Sequence, residues 1–356
     1  MNRNIKTFMF CVCLLFVVCV CVTVCASENI VVNTNTMNIV VDGDRVSGDN
    51  FVYENTTYVP LRKIAEMLGK KVDWDPSING AVISDTTETV TLSENTDEGL
   101  FFENNKTIAV DRNTMNIYVN GTLVDADNFV YSNTTYVPLR KVAEMLSKEV
   151  NWEKISNTAS IGKKGIGFFD GTVLGTINGY EFTDYMYDYY AAAYADEVEY
   201  YEMIGQDPSV VVGSDEKEYV YDKLKFDFAL IDHSLALGRC MTPYYHWSYY
   251  ESVKSTLKGI KGDPERFDAM LKMQGFTSLN SYYYAMVVSD LYVQFAREYV
   301  DDVTSEEVEK YYNDNQELRM EFSLSEAYDD ITMFIARDKA SAEIEKMAEN
   351  VVLTVK

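Results

Sequence analysis

Apolar residues are distributed in three different ways along the chain. From Phe8 to Ala26 they form one nearly unbroken run. From about residue 30 to 161 they come in short β-branched runs separated by Asn, Asp and Gly. Beyond residue 170 they recur at three- and four-residue spacing over long stretches. The first pattern reads as a leader or membrane segment, the second as short strands and the third as helices. The predicted class is therefore α+β, with a strand-rich first half and a mostly α-helical second half.

The strand-rich half repeats itself. Thr36-Met37-Asn38-Ile39 returns as Thr114-Met115-Asn116-Ile117, an offset of 78 residues. At the same offset Phe51-Val52-Tyr53 matches Phe129-Val130-Tyr131, and Asn55 to Lys63 matches Asn133 to Lys141 without a change. Such self-similarity marks a duplicated structural unit. Within a unit, Ile39-Val40-Val41 reads as a strand ending in a turn, and Phe51 to Val59 as a hairpin around an Asn-containing turn. Pro60 stands where a helix starts, Leu61, Ile64, Ala65 and Leu68 line one face, and Gly69 ends it. Each unit is expected to be a small sheet with one helix on it, with Pro60, Arg62, Trp74, Pro138, Arg140 and Trp152 as its structural anchors. Arg62 and Glu66 are spaced for an i,i+4 pair.

In the second half, Thr172 to Phe182 reads as a hairpin turning at Asn178-Gly179, and Thr183 as the cap of a helix reaching about Gly205. A further helix starts at Ser214 and carries Val220, Leu224, Phe228, Ile231 and Leu235 on one face. Others start at Thr242-Pro243 and Asp263-Pro264, and a long one runs from Thr277 to about Val300. Thr304 with Glu307 and Ser323 with Glu326 read as capping boxes, the second opening a final helix with Ile331, Ile335, Ile344 and Met347.

Composition narrows the function classes. Among 356 residues, 31 Lys and Arg face 56 Asp and Glu, a net charge of −25. Such a chain repels phosphate backbones, so no nucleic-acid partner is expected. Five of the six cysteines lie within the Phe8–Ala26 run. Arg3 and Lys6 precede that run, and Ala26 offers a small residue for cleavage. Residues 1–26 are read as a signal peptide, with an uncleaved membrane anchor as the alternative. Removing them shifts the charge to −27 and leaves Cys240 alone, so the exported chain must rely on core burial rather than disulfides. Two histidines, His233 and His246, are too few for most metal or redox sites, and no phosphate loop, nucleophile triad or zinc spacing is present. No cofactor is expected.

The run Tyr58-Val59-Pro60-Leu61-Arg62-Lys63, then Ala65-Glu66-Met67-Leu68 and Trp74, with its second copy, resembles the N-terminal domain of copper amine oxidases over residues 27–161. The resemblance implies an accessory module and not amine oxidation, whose copper and quinone belong to a separate histidine-bearing domain. After a linker at 162–169, residues 170–356 resemble the helical part of extracytoplasmic foldases of the SurA and PrsA type. Thr176 to Thr183, Phe267 to Thr277 and Val303 to Tyr312 carry that resemblance. Asn313 to Phe322 leaves no room for the parvulin isomerase domain those foldases insert there, so no isomerase activity is expected.

The resemblance implies a secreted or cell-surface, chaperone-like protein without enzymatic chemistry, whose partners are unfolded or exported polypeptides. Tyr189, Tyr190, Tyr194, Tyr245, Trp247, Tyr250, Tyr283 and Met286 are the candidate client-binding residues, because Tyr and Met make adaptable apolar contacts. Aromatic residues at helical spacing also fit a closed core. The alternative function is a structural or adhesive cell-surface protein that binds cell-wall components.

Overall fold

A computed structural model describes residues 27–46, 48–88, 90, 103–163 and 171–356. The expected signal peptide, and all but Gly162 and Lys163 of the expected linker, lie outside the described residues. The chain is α+β as the pattern predicts, strand-rich to about residue 183 and mostly helical beyond.

The first unit runs β1 (Glu28–Thr34), β2 (Asn38–Val41), β3 (Asp44–Arg45), β4 (Phe51–Tyr53), β5 (Thr56–Pro60), α1 (Leu61–Met67), β6 (Lys70–Asp75) and β7 (Gly80–Asp85). The second repeats it as β8 (Glu103–Arg112), β9 (Asn116–Val119), β10 (Thr122–Val124), β11 (Phe129–Tyr131), β12 (Thr134–Pro138), α2 (Leu139–Met145), β13 (Val150–Glu153) and β14 (Thr158–Ile161). Glu54-Asn55 and Ser132-Asn133 both have positive φ, the conformation that a tight two-residue hairpin turn requires. α1 buries Leu61, Ile64 and Ala65, and α2 buries Leu139, Val142 and Ala143. The expected Arg62–Glu66 pair is made, at 3.6 Å.

The units are not the self-contained sheets expected from the repeat; they interlock. Six strands close a barrel in the order β1-β4-β5-β12-β11-β8. The remaining strands form two four-stranded sheets, β10-β9-β7-β6 and β13-β14-β2-β3, each mixing strands of both units. Ile30 faces Ile108 across β1 and β8, and Val59 faces Val137 across β5 and β12. Both pairs are 78 residues apart, so a pseudo-two-fold axis passes through them. One unit alone would leave β1, β2, β5 and β7 with open edges, and the exchange pairs all four. Inside the barrel Phe51 packs on Tyr136 at 4.8 Å and Tyr58 on Phe129 at 4.9 Å, again symmetry mates. A second core lies under the two helices.

Trp74 and Trp152 are not buried anchors. They project from the edge strands β6 and β13 with 46% and 56% exposure. Each stands opposite a small residue on the neighbouring strand, Ala81 or Ala159, so the directly opposite position covers little of the indole.

The second half opens with the hairpin β15 (Val173–Ile177) and β16 (Tyr180–Thr183). Helices α3 (Asp184–Met203), α4 (Pro208–Val211), α5 (Glu216–Ala236), α6 (Pro243–Gly259), α7 (Pro264–Met273) and α8 (Leu279–Ala296) follow. A 3-10 turn (Arg297–Asp302) leads to α9 (Ser305–Asp314), α10 (Gln316–Glu321) and α11 (Leu324–Ala348), and β17 (Leu353–Val355) ends the chain. Asp215, not Ser214, caps α5, accepting from the backbone N–H groups of Lys217 and Glu218. Both expected capping boxes form. α11 folds back onto α5 and α8, and β17 pairs with β15. Among the described residues no helix is long and apolar enough to cross a membrane.

The two halves dock through polar contacts. Tyr250 Oη donates to the Gly43 carbonyl, Asn38 Nδ2 to the Met241 carbonyl at 3.2 Å, and Cys240 Sγ to the Thr36 carbonyl at 3.1 Å. Burial, with Asp290 nearby, pushes the Cys240 thiol up to about 12, which keeps it protonated.

Candidate functional site

The residues expected to bind clients do not share one surface. Tyr283 and Tyr250 are 0% and 1% exposed and belong to the core of the helical half. Tyr190 Oη donates to Asp227 Oδ2 at 2.6 Å, and Tyr284 Oη reaches the same oxygen at 2.7 Å. Burial pushes the Asp227 carboxyl up to about 6, against the opposing effect of those two hydrogen bonds. Tyr189 stacks on Phe276 with ring centroids 5.9 Å apart, Tyr194 donates to the Gly213 carbonyl, and Met286 is half-buried against the core. Tyr245 is exposed; the side chain of Trp247 lies outside the described residues. Of the eight, Tyr250 and Tyr283 are therefore interior, and Tyr189, Tyr190, Tyr194 and Met286 are half-buried. These rings give the core its area, and hydroxyls with an internal acceptor cost little to bury.

Five of the exposed apolar residues of the helical half lie at the end of α3 and on α4. Tyr200, Met203 and Ile204 end α3, and Val210 and Val211 form the short α4; the exposure of Val210 reaches 81% and that of Met203 74%. Spacing of three and four residues puts Tyr200, Met203 and Ile204 on one face of the last helical turn.

The duplicated half presents two grooves. One, of about 290 Å³, is lined by Leu61, Arg62, Val72, Asp73, Trp74, Ala81, Met115, Asn133, Thr134 and Thr135. The other, of about 440 Å³, is lined by Met37, Asn55, Thr56, Thr57, Pro138, Leu139, Arg140, Val150, Trp152 and Ala159. Nine of the ten positions in each correspond under the 78-residue shift. The grooves are thus one site built twice about the pseudo-two-fold axis. In each, the helix start, the tryptophan and the alanine come from one unit, and the Asn-Thr-Thr hairpin wall with a methionine comes from the other. A single unit could build neither.

The two copies differ in detail. Arg62 Nη1 donates to the Val72 carbonyl and lies 3.6 Å from Glu66, so its guanidinium is engaged within its own unit. Arg140 is exposed and makes no ion pair among the described residues, while Glu144, the counterpart of Glu66, faces Lys141 at 4.0 Å. Trp152 Nε1 donates to Asn157 Oδ1 at 3.1 Å, which fixes its indole at the groove wall. The lining holds a flat aromatic face, hydroxyls, a side-chain amide and a guanidinium, a set suited to binding a polar ligand with an apolar face.

Sequence reasoning picked out Arg62, Trp74, Arg140 and Trp152, as structural anchors, and the structure brings each arginine together with its tryptophan in a groove. It missed Thr56, Thr57, Thr134 and Thr135 as lining residues. The signal was present in the unchanged run from Asn55 to Lys63, because that run supplies the hairpin wall of one groove and the helix wall of the other.

Among the described residues no cluster of three His, Cys, Asp or Glu side chains is placed to hold a metal ion. No curated protein and no solved structure matches the chain. Residues 40–161 and, overlapping them, 118–183 match the family model of the copper amine oxidase N-terminal domain, the non-catalytic part of those oxidases.

Proposed function

We propose that this chain is an exported, non-catalytic binding protein, held on cell-surface or cell-wall polymers by its duplicated half. The observation that carries this reading is the pair of equivalent grooves, each with a solvent-facing tryptophan. An indole half open to water costs apolar exposure that folding would otherwise remove, and such exposure is commonly spent on a ligand. Two copies on one duplicated half also favour a polymer, because a second contact on the same chain becomes intramolecular. The test is co-sedimentation of the full chain with purified cell wall. Retention that falls when Trp74 and Trp152 are both replaced by Ala is expected. Retention no greater than that of an equally acidic control protein rejects the reading.

A second reading, a holding site for unfolded or exported polypeptides, is favoured by the exposed apolar end of α3 and α4. On it, the full chain suppresses aggregation of an unfolding substrate, and a variant with Met203, Val210 and Val211 replaced by Ser does not. Equal suppression by both proteins, or none by either at stoichiometric excess, removes it.

A further inference from the structure

The twin grooves also carry information about the kind of polymer. Each offers the exposed face of Trp74 or Trp152 beside two threonine hydroxyls and one Asn amide on a hairpin wall. The backbone of that wall is already paired, Thr56 with Tyr53 and Thr57 with Val52, and likewise Thr134 with Tyr131 and Thr135 with Val130. The side chains of that hairpin, and not its edge towards β4 or β11, are therefore what each groove presents beside the tryptophan. Hydroxyls and amides lining the same groove as a flat aromatic face complement a sugar ring, whose C–H face is apolar and whose rim carries hydroxyls. A net charge of −25 repels polyanions. Two near-identical sites match a ligand that repeats itself, which a neutral glycan does and a polypeptide of varied sequence does not.

We infer that the two grooves are carbohydrate-binding sites for a neutral polysaccharide, with Trp74 and Trp152 as the stacking platforms. This rests on the surface-binding reading above and names its ligand. The copy with Trp152 is the stronger site. Its cavity is the larger, at about 440 Å³ against about 290 Å³. Its Arg140 is also free to fork onto vicinal hydroxyls, whereas Arg62 is held by the Val72 carbonyl and Glu66.

The experiment is titration of the full chain with neutral trisaccharides and hexasaccharides of glucose, of xylose and of N-acetylglucosamine, followed by tryptophan fluorescence and calorimetry. One of these sugars is expected to bind, with two trisaccharides taken up per chain at unequal affinity. Trp152→Ala should weaken hexasaccharide binding about tenfold, Trp74→Ala should weaken it less, and the double variant should abolish it. Trp152→Phe keeps a ring and should retain part of the affinity, which separates stacking from a folding defect; unchanged melting temperatures of the variants check the same point. Absence of binding to every sugar, or unchanged binding in the double variant, overturns the inference. Tryptophan-dependent wall retention without sugar binding overturns the inference and leaves the surface-binding reading standing. Tryptophan-dependent capture of an unfolded polypeptide without sugar binding assigns the grooves to peptide and also overturns it.

Discussion

At the scale of single residues, the duplication supplies its own control. Gly69 follows α1 with φ +71°, and its counterpart Ser147 follows α2 with φ +54°. A side chain in this left-handed conformation is strained, at roughly 1–2 kcal/mol, and glycine is not. Ser147→Gly should therefore raise stability by about 0.5–1 kcal/mol, seen as a higher denaturant midpoint with an unchanged slope. A lower midpoint would mean that the serine hydroxyl contributes more than its backbone costs. The Tyr190–Asp227–Tyr284 contact gives a second residue-level case. Removing one donor with Tyr284→Phe takes a hydrogen bond from a buried carboxylate, at a cost of about 1.5–3 kcal/mol. The Asp227 carboxyl is raised to about 6 in the fold from an ordinary 3.8. Its contribution to stability is thus complete below 3.8 and is lost as pH rises through 6. Above that pH the tyrosines hold a carboxylate and the bond is charge-assisted, so the penalty of the substitution should be larger at pH 7.5 than at pH 4.5. Melting curves at the two pH values read this directly; a penalty independent of pH would place the charge elsewhere.

At the scale of elements, the most exacting contact is the return of β17 to the hairpin. Gly175 pairs with Val355, and a Cβ there would stand 2.1 Å from the Thr354 carbonyl oxygen and 2.6 Å from Phe182 Cε1. Gly175→Ala therefore cannot keep β17 in place. The variant should lose about 1–3 kcal/mol and expose residues 351–356 to limited proteolysis that the parent resists. Equal protection in both would show that the strand can slide without cost. The strand itself was illegible in the sequence, since Leu353-Thr354-Val355 is too short to show a period. Helices were legible because their signals are local, as at Thr304 with Glu307 and Ser323 with Glu326, where cap and stripe lie within a few residues. The units were legible too, but their interlocking was not. Ala81 pairs with Ile117, and Ala159 with Ile39, across the repeat boundary. A duplicated sequence reads the same whether each copy pairs with itself or with its twin. The grooves inherit that limit. Trp74 and Arg62 were visible as residues, but the wall they face belongs to the other copy. The burial of part of the candidate client set was illegible for a different reason: a tyrosine stripe does not say whether its hydroxyls meet water or an internal acceptor such as Asp227.

For the molecule as a whole, the docking of the two halves is where pH should act. His246 of α6 is 0% exposed, and neither ring nitrogen has a hydrogen-bond partner among the described residues. Tyr250 and Tyr283 pack around it at 5.7 and 6.1 Å, and Arg45 from β3 is close enough to oppose its protonation. Burial first, and that guanidinium second, hold the imidazole well below its ordinary value of 6.5. Folded protein therefore binds fewer protons than unfolded protein once pH drops below 6.5. The stability contributed by the neutral ring is complete above 6.5 and is lost at up to about 1.4 kcal/mol per pH unit below it. Asp227 works in the opposite sense between 6 and 3.8, so a single melting curve mixes the two. Comparison with His246→Leu separates them, because Asp227 is common to both proteins and cancels in the difference. The leucine variant fills a similar volume and leaves no buried nitrogen unpaired, so at pH 7.5 it should be at least as stable as the parent. From pH 6.5 to 5 the parent should lose stability relative to the variant, and the gap should widen steadily as acid is added. Parallel curves over that range would mean that the ring titrates as it does in water, and that the contact between the barrel half and the helical half is open rather than sealed around Arg45 and His246.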